Sequence, residues 1–112
     1  MPPDVRKLLS DMAEAADSIA EFTKGTSFGE FAGNKLLRAA VYYEFLIIGE
    51  ALSKLRQTHE EVAARISEHS RFVGFRNQII HGYASIDDEI TWRIIVDKLP
   101  VLRRELVELL AG

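Results

Sequence analysis

Asn34-Lys35-Leu36-Leu37-Arg38-Ala39-Ala40-Val41-Tyr42-Tyr43-Glu44-Phe45-Leu46-Ile47-Ile48-Gly49-Glu50-Ala51-Leu52-Ser53-Lys54-Leu55-Arg56 is the stretch on which the fold turns. Leu37, Val41, Ile48, Leu52 and Leu55 recur at helical spacing on one stripe, and Leu36, Tyr43 and Ile47 form a second. The pattern predicts a helix from Lys35 to about Arg56 with Asn34 as its cap. A helix that is apolar on two sides is either central in its domain or shared with a partner chain. Glu44 falls in the first stripe, so its carboxylate is expected to bond a buried Tyr or Arg rather than to act in catalysis.

Working outward toward the N-terminus, Val5, Leu8, Leu9, Met12, Ala16, Ile19 and Phe22 outline a long amphipathic helix. Pro2 and Pro3 suit its start, and Gly25-Thr26 breaks it. Ser27-Phe28-Gly29-Glu30 reads as a capping box on a short helical turn. On the other side, Thr58-His59-Glu60-Glu61 resembles a second capping box, opening a short helix to about Ile66, and Ser67 or Ser70 is placed to cap the next. That next helix carries Phe72, Val73, Phe75, Ile79 and Ile80 and stops near Gly82. Asp87-Asp88-Glu89 puts carboxylates in the first turn of a last helix, where capping is a better account than a metal site. Its stripe is Ile90, Ile94, Ile95, Leu99, Leu102, Leu106 and Leu109, with a kink expected at Pro100. With no strand-like alternation and no repeat, the expected architecture is all-α: an up-and-down helical bundle with a kinked C-terminal helix, forming one domain over residues 1–112.

Composition narrows the function classes. The absence of cysteine removes disulfide scaffolds, thiolate metal sites and a cysteine nucleophile. Fourteen basic against 17 acidic residues leave a net charge of −3, so any nucleic-acid contact has to be local. No apolar run approaches the roughly 20 residues of a membrane span, and the first residues lack the pattern of a signal peptide. A cytoplasmic protein without a membrane partner is expected.

Of the three histidines, His59 and His69 lie in polar stretches, without metal-ligand spacing, and are expected at the surface. His81 closes the segment Arg76-Asn77-Gln78-Ile79-Ile80-His81-Gly82-Tyr83, which gathers a cation, an amide, an imidazole and a phenol. Asn77 and His81 share a helix face. Arg76 lies about 140° around from His81, so only its long side chain can reach the same substrate. Guanidinium clamps phosphate and imidazole moves protons near neutral pH, a combination suited to phosphodiester chemistry. The same residues have a purely structural reading, in which His81 meets the helix dipole, Arg76 a carboxylate, and Tyr83 the core.

The run Gly74-Phe75-Arg76-Asn77-Gln78-Ile79-Ile80-His81-Gly82-Tyr83 resembles the signature of the HEPN superfamily, specifically of HepT-like toxins, in which Arg, four residues, His, one residue and Tyr recur in that order. Ile48-Gly49-Glu50-Ala51 resembles a second element of that family, and Ile86-Asp87 with Trp92 and Leu99-Pro100 resembles its C-terminal helix. The resemblance implies a toxin of a toxin–antitoxin pair: a metal-independent endoribonuclease with no cofactor, RNA as substrate, and Arg76 and His81 catalytic. Asn77 would support substrate binding. It also implies a nucleotidyltransferase antitoxin that transfers AMP to Tyr83. The alternative within the family is a non-catalytic helical partner, or substrate-binding subunit, of a nucleotidyltransferase complex.

Cleaving RNA without a metal requires activating the 2′-OH, stabilising the phosphorane and protonating the 5′-oxygen. One chain supplies His81 and Arg76 but no second proton-transfer group. A two-fold homodimer would supply it by setting one motif opposite the other, with the two-sided helix and Gly74 at the interface.

Overall fold

A computed structural model describes residues Met1–Gly112. It is helical almost throughout: α1 (Pro3–Thr23), α2 (Phe28–Ala32), α3 (Lys35–Thr58), α4 (Glu60–Ala63), α5 (His69–Gly82), a 3₁₀ turn (Tyr83–Ser85), α6 (Asp88–Arg93), a π-turn (Ile94–Lys98) and α7 (Leu99–Ala111). There is no strand. The bundle expected from helical periodicity is therefore the observed architecture.

The local signals act mostly where they were read. Ser27 and Glu30 form the reciprocal capping box, Asn34 accepts from the Leu37 amide at 3.0 Å, and Asp87 accepts from the Glu89 and Ile90 amides. Gly25 follows α1 at φ +72°, a left-handed conformation that costs glycine least. The second expected box does not form. Thr58 stays inside α3 and donates its hydroxyl back to the Lys54 carbonyl at 2.9 Å, so α4 starts at Glu60 without a side-chain cap and ends at Ala63. Neither Ser67 nor Ser70 caps α5. Glu68 holds that position at φ +57°, and the Glu105 carboxylate accepts from both the amide and the hydroxyl of Ser67.

α3 packs against α1 on one side and α5 on the other, and α1 packs against α7. Twenty-three buried apolar residues make a single core, with Leu9, Met12, Ile19, Phe31, Phe45, Ile48, Leu52, Leu102 and Leu106 at its centre. At 25 cal/mol per Å², a fully buried Leu or Ile contributes roughly 1.5–3 kcal/mol. The first stripe of α3 is thus internal, while the second is open at Leu36, 82% exposed, and Tyr43, 61% exposed, and packs on the core at Ile47. Phe22, Ile80 and Ile90, which were read into core stripes, also stand at the surface.

Glu44 departs from expectation. It has neither a Tyr nor an Arg partner but faces a cleft with Asp11 and Glu14. Partial burial, and next the Glu14 carboxylate, push its pKa above the usual carboxylate range. The irregularity at Pro100 takes the form of the π-turn just before it, in which the Leu99 amide reaches back to the Ile94 carbonyl. Proline cannot donate to the carbonyl four residues back, and opening the preceding turn relieves the ring's clash with it.

Candidate active site

The segment singled out in sequence lies on the outer half of α5, and α3 decides how it is held. Phe45 meets the Phe75 ring edge-on at 5.1 Å and stacks with Phe72 at 6.5 Å, seating α5 on α3. One turn further along α3, Gly49 lies under Arg76. A Cβ at Gly49 would stand 2.2 Å from Arg76 Cβ and 2.6 Å from its Cγ, so the stem of Arg76 occupies the space of the missing side chain. Gly74, expected to allow close approach, has nothing within 4 Å in its own chain.

With its stem fixed, the Arg76 guanidinium is turned by two partners. Nη1 donates to Asn77 Oδ1 at 2.8 Å, and Nη2 pairs with Glu50 Oε1. Nε is buried and has no partner. The structure therefore brings Arg76 and Asn77 together although they are sequence neighbours pointing to different faces. It adds Glu50, a residue to which the sequence reading gave no role. A signal for the contact was present. Position 49 belongs to the buried stripe of α3 yet carries no side chain, which marks a close crossing and makes the next residue a neighbour of whatever crosses.

His81 sits in the last turn of α5, one helical turn beyond Asn77, exposed and without a hydrogen bond in the chain. Tyr83 opens the 3₁₀ turn with 77% of its surface exposed, which rules out the reading in which it covers the core. That turn is tied back by Ser85 Oγ donating to the Gly82 carbonyl at 2.8 Å. Beside Tyr83 is a cleft of about 380 Å³ bordered by Lys35, Arg38, Tyr42 and Asp88. Burial pushes the Tyr42 phenol pKa up, and its hydroxyl donates to Asp88 Oδ1 at 3.2 Å. No three His, Asp or Glu side chains converge to form a set of metal ligands. His59 and His69 are half-buried rather than fully exposed surface groups.

A fixed guanidinium beside an amide, with an exposed imidazole one turn away, is an arrangement able to hold a phosphodiester and exchange a proton with it. No helix of the chain is long and apolar enough to cross a membrane. The sequence profile of the family described as ribonuclease HepT-like matches residues 12–109. A Methanocaldococcus jannaschii protein named "Putative RNase" is 35% identical over 103 residues, covering 92% of this chain and 94% of the relative. A Thermococcus cleftensis protein named "Probable ribonuclease HepT" is 31% identical over 105 residues, covering 90% and 91%. A Caldanaerobacter subterraneus "Putative RNase" is 28% identical over 105 residues, covering 94% and 93%. No solved structure matches. With the motif, the helix order and these relatives in agreement, the chain belongs to the ribonuclease HepT-like family, and through it to the HEPN superfamily.

Proposed function

We propose that this chain is the toxin of a toxin–antitoxin pair, a metal-independent endoribonuclease that leaves a 2′,3′-cyclic phosphate. The observation that carries the reading is the Arg76 guanidinium, clamped over Gly49 by Glu50 and Asn77 one turn from the exposed His81. In the reaction the ribose 2′-oxygen attacks phosphorus and gives up its proton, the P–O5′ bond breaks, and O5′ takes a proton. Arg76 stabilises the added charge on the phosphorane, and its second Nη hydrogens stay free to reach phosphate oxygens. Asn77 orients the guanidinium and offers its amide donors to phosphate or ribose. His81 exchanges one proton with the substrate.

The second proton-transfer group comes from the His81 of another copy across a two-fold axis. What supports a homodimer is the open apolar stripe of α3, with Leu36 and Tyr43 in water, together with the unoccupied space over Gly74. Control is by a nucleotidyltransferase antitoxin that attaches AMP to Tyr83. The exposure of that phenol favours this, and a phosphate attached there would pair with a guanidinium such as that of Arg76 and repel incoming RNA. The test is His81→Ala assayed on RNA in the presence of EDTA. Loss of cleavage in the variant is expected with the fold intact, and wild type should give cyclic-phosphate ends. Cleavage by the variant at the wild-type rate would overturn the mechanism, and a wild-type chain that cleaves no RNA would leave the non-catalytic partner role as the better account.

A further inference from the structure

The largest cavity of the chain, about 560 Å³, lies away from the motif, between the last turns of α3, the start of α4 and the first turn of α5. Its size is ordinary for a site that takes a small molecule. The polar wall is Ser53, Arg56, Gln57, Glu60 and His69, with Val73 closing the apolar side. Arg56 is exposed and forms no ion pair in the chain, so its guanidinium is available. His69 Nδ1 is buried with no hydrogen-bond partner in the chain, so this ring has an unmet polar group. The backbone around His69 is held by Ser67 bonded to Glu105 and by Glu68 paired with Lys98 at 2.8 Å. The wall is therefore built on a fixed frame.

Its position relates it to the motif. α3 and α5 run antiparallel, because Tyr42 meets Phe75, Phe45 meets Phe72, and Ser53 and Arg56 share the cavity with Val73 and His69. Along α5, His69, Val73, Asn77 and His81 recur every fourth residue. The cavity thus lies at the far end of the seam between α3 and α5 on which the Arg76–Glu50 pair sits. The twelve helical steps from His69 to His81 span about 18 Å, which a stacked strand covers in roughly five nucleotides.

We infer that this cavity is a distal subsite that holds one ribonucleotide unit of a single-stranded RNA whose scissile bond lies at His81. Arg56 and His69 would bind the phosphate, and Glu60, Gln57 and Ser53 would bond the 2′-hydroxyl or a base edge. The inference rests on RNA being the substrate.

The experiment measures binding of a fluorescent 12-nucleotide RNA to His81→Ala protein, with and without Arg56→Ala or His69→Gln, across a range of salt. Arg56→Ala should weaken binding roughly tenfold and lower the slope of log K against log salt by about 0.7, a change that a merely structural role does not produce. In the wild-type background it should raise KM for the 12-mer, leave kcat alone, and leave cleavage of a dinucleotide untouched. His69→Gln serves as a second variant reaching the same wall. Unchanged binding and salt slope in both variants, with helicity intact, would overturn the subsite. So would free AMP filling the cavity while RNA of any length ignores it. Arg56-dependent RNA binding by a wild-type chain that cleaves nothing would overturn the nuclease reading alone and leave the subsite standing.

Discussion

Gly49→Ala is the sharpest perturbation the structure offers, since one methyl group tests both the packing of α3 on α5 and the aim of Arg76. The new Cβ would lie 2.2 Å from Arg76 Cβ, where ordinary contact begins at 3.4 Å, so the helices must part by about 1.2 Å locally. The clash is with the root of the Arg76 side chain, not its flexible end, so rotation of Arg76 does not relieve it. Overpacking of this kind costs about 1–3 kcal/mol. Alanine returns about 1 kcal/mol in helix propensity. The net loss of up to about 2 kcal/mol corresponds to a fall in Tm of up to roughly 10 °C for a chain of this size. The same displacement carries Arg76 away from Glu50 on α3, and a shift of about 1 Å at a reacting centre costs on the order of 10²-fold in rate. Thermal melts followed by circular dichroism, with cleavage of a fluorogenic RNA measured well below the melt, separate the two effects. Gly74→Ala is the stability control: with nothing within 4 Å of its Cβ, it should gain about 0.5–1 kcal/mol within the chain. A Gly49→Ala protein that melts with wild type and cleaves at full rate would refute the crossing geometry and the positioning role derived from it.

Glu50→Gln should change stability by no more than about 1 kcal/mol, because the pair is partly exposed, yet reduce kcat by roughly tenfold at unchanged KM through loss of the guanidinium's orientation; equal kcat values would remove Glu50 from the site. Tyr83→Phe should retain toxicity and escape neutralisation, while intact-mass measurement of the co-expressed wild type should show added AMP; an unmodified Tyr83 in a neutralised complex contradicts the proposed control. Glu44→Gln should stabilise the chain at pH 7 by about 0.5 kcal/mol after solvent screening. Because its folded pKa is raised, the folded chain binds the proton more tightly, so wild-type stability declines as pH rises from the ordinary carboxylate range through the folded value. The advantage of the variant should therefore vanish in acid, and a gain that persists below pH 4 would show that charge is not its cause.

Most of the fold is legible in the sequence because it is set by local patterns. The 3.6-residue recurrence of Leu9, Met12, Ile19 and of Ile48, Leu52, Leu55 survives intact into the core. The Ser27 box and the Asn34 cap act through three or four adjacent residues and need no tertiary information. Thr58 fails for a related reason. Its hydroxyl has two acceptable partners, the amide ahead and the Lys54 carbonyl behind, and the continuing helix decides for the latter. The open stripe of α3 was legible as a pattern but not as a location, since periodicity does not distinguish a chain's own core from a surface awaiting a neighbour. At the site, the order Arg76, His81, Tyr83 is a local signal, whereas Glu50 meets Arg76 only after two helices cross 26 positions apart in the chain.

The turn from Ile94 to Lys98 and the proline after it form a matched pair. A π-turn is an α-helix carrying one residue more than its length requires, and its flanking segments keep the phase they would have without it. Val96, 52% exposed, stands in that excess, while Ile94 and Ile95 before it and Leu99, Leu102, Leu106 and Leu109 after it all face the core. Removing Val96 alone would preserve that phase but leave the proline inside a regular helix, at a cost of about 3 kcal/mol. Replacing Pro100 alone would leave an extra residue with no reason to bulge. Only the double change, deletion of Val96 with Pro100→Ala, yields an uninterrupted C-terminal rod with its buried face in register, so two positions that each look intolerant in isolation can change together.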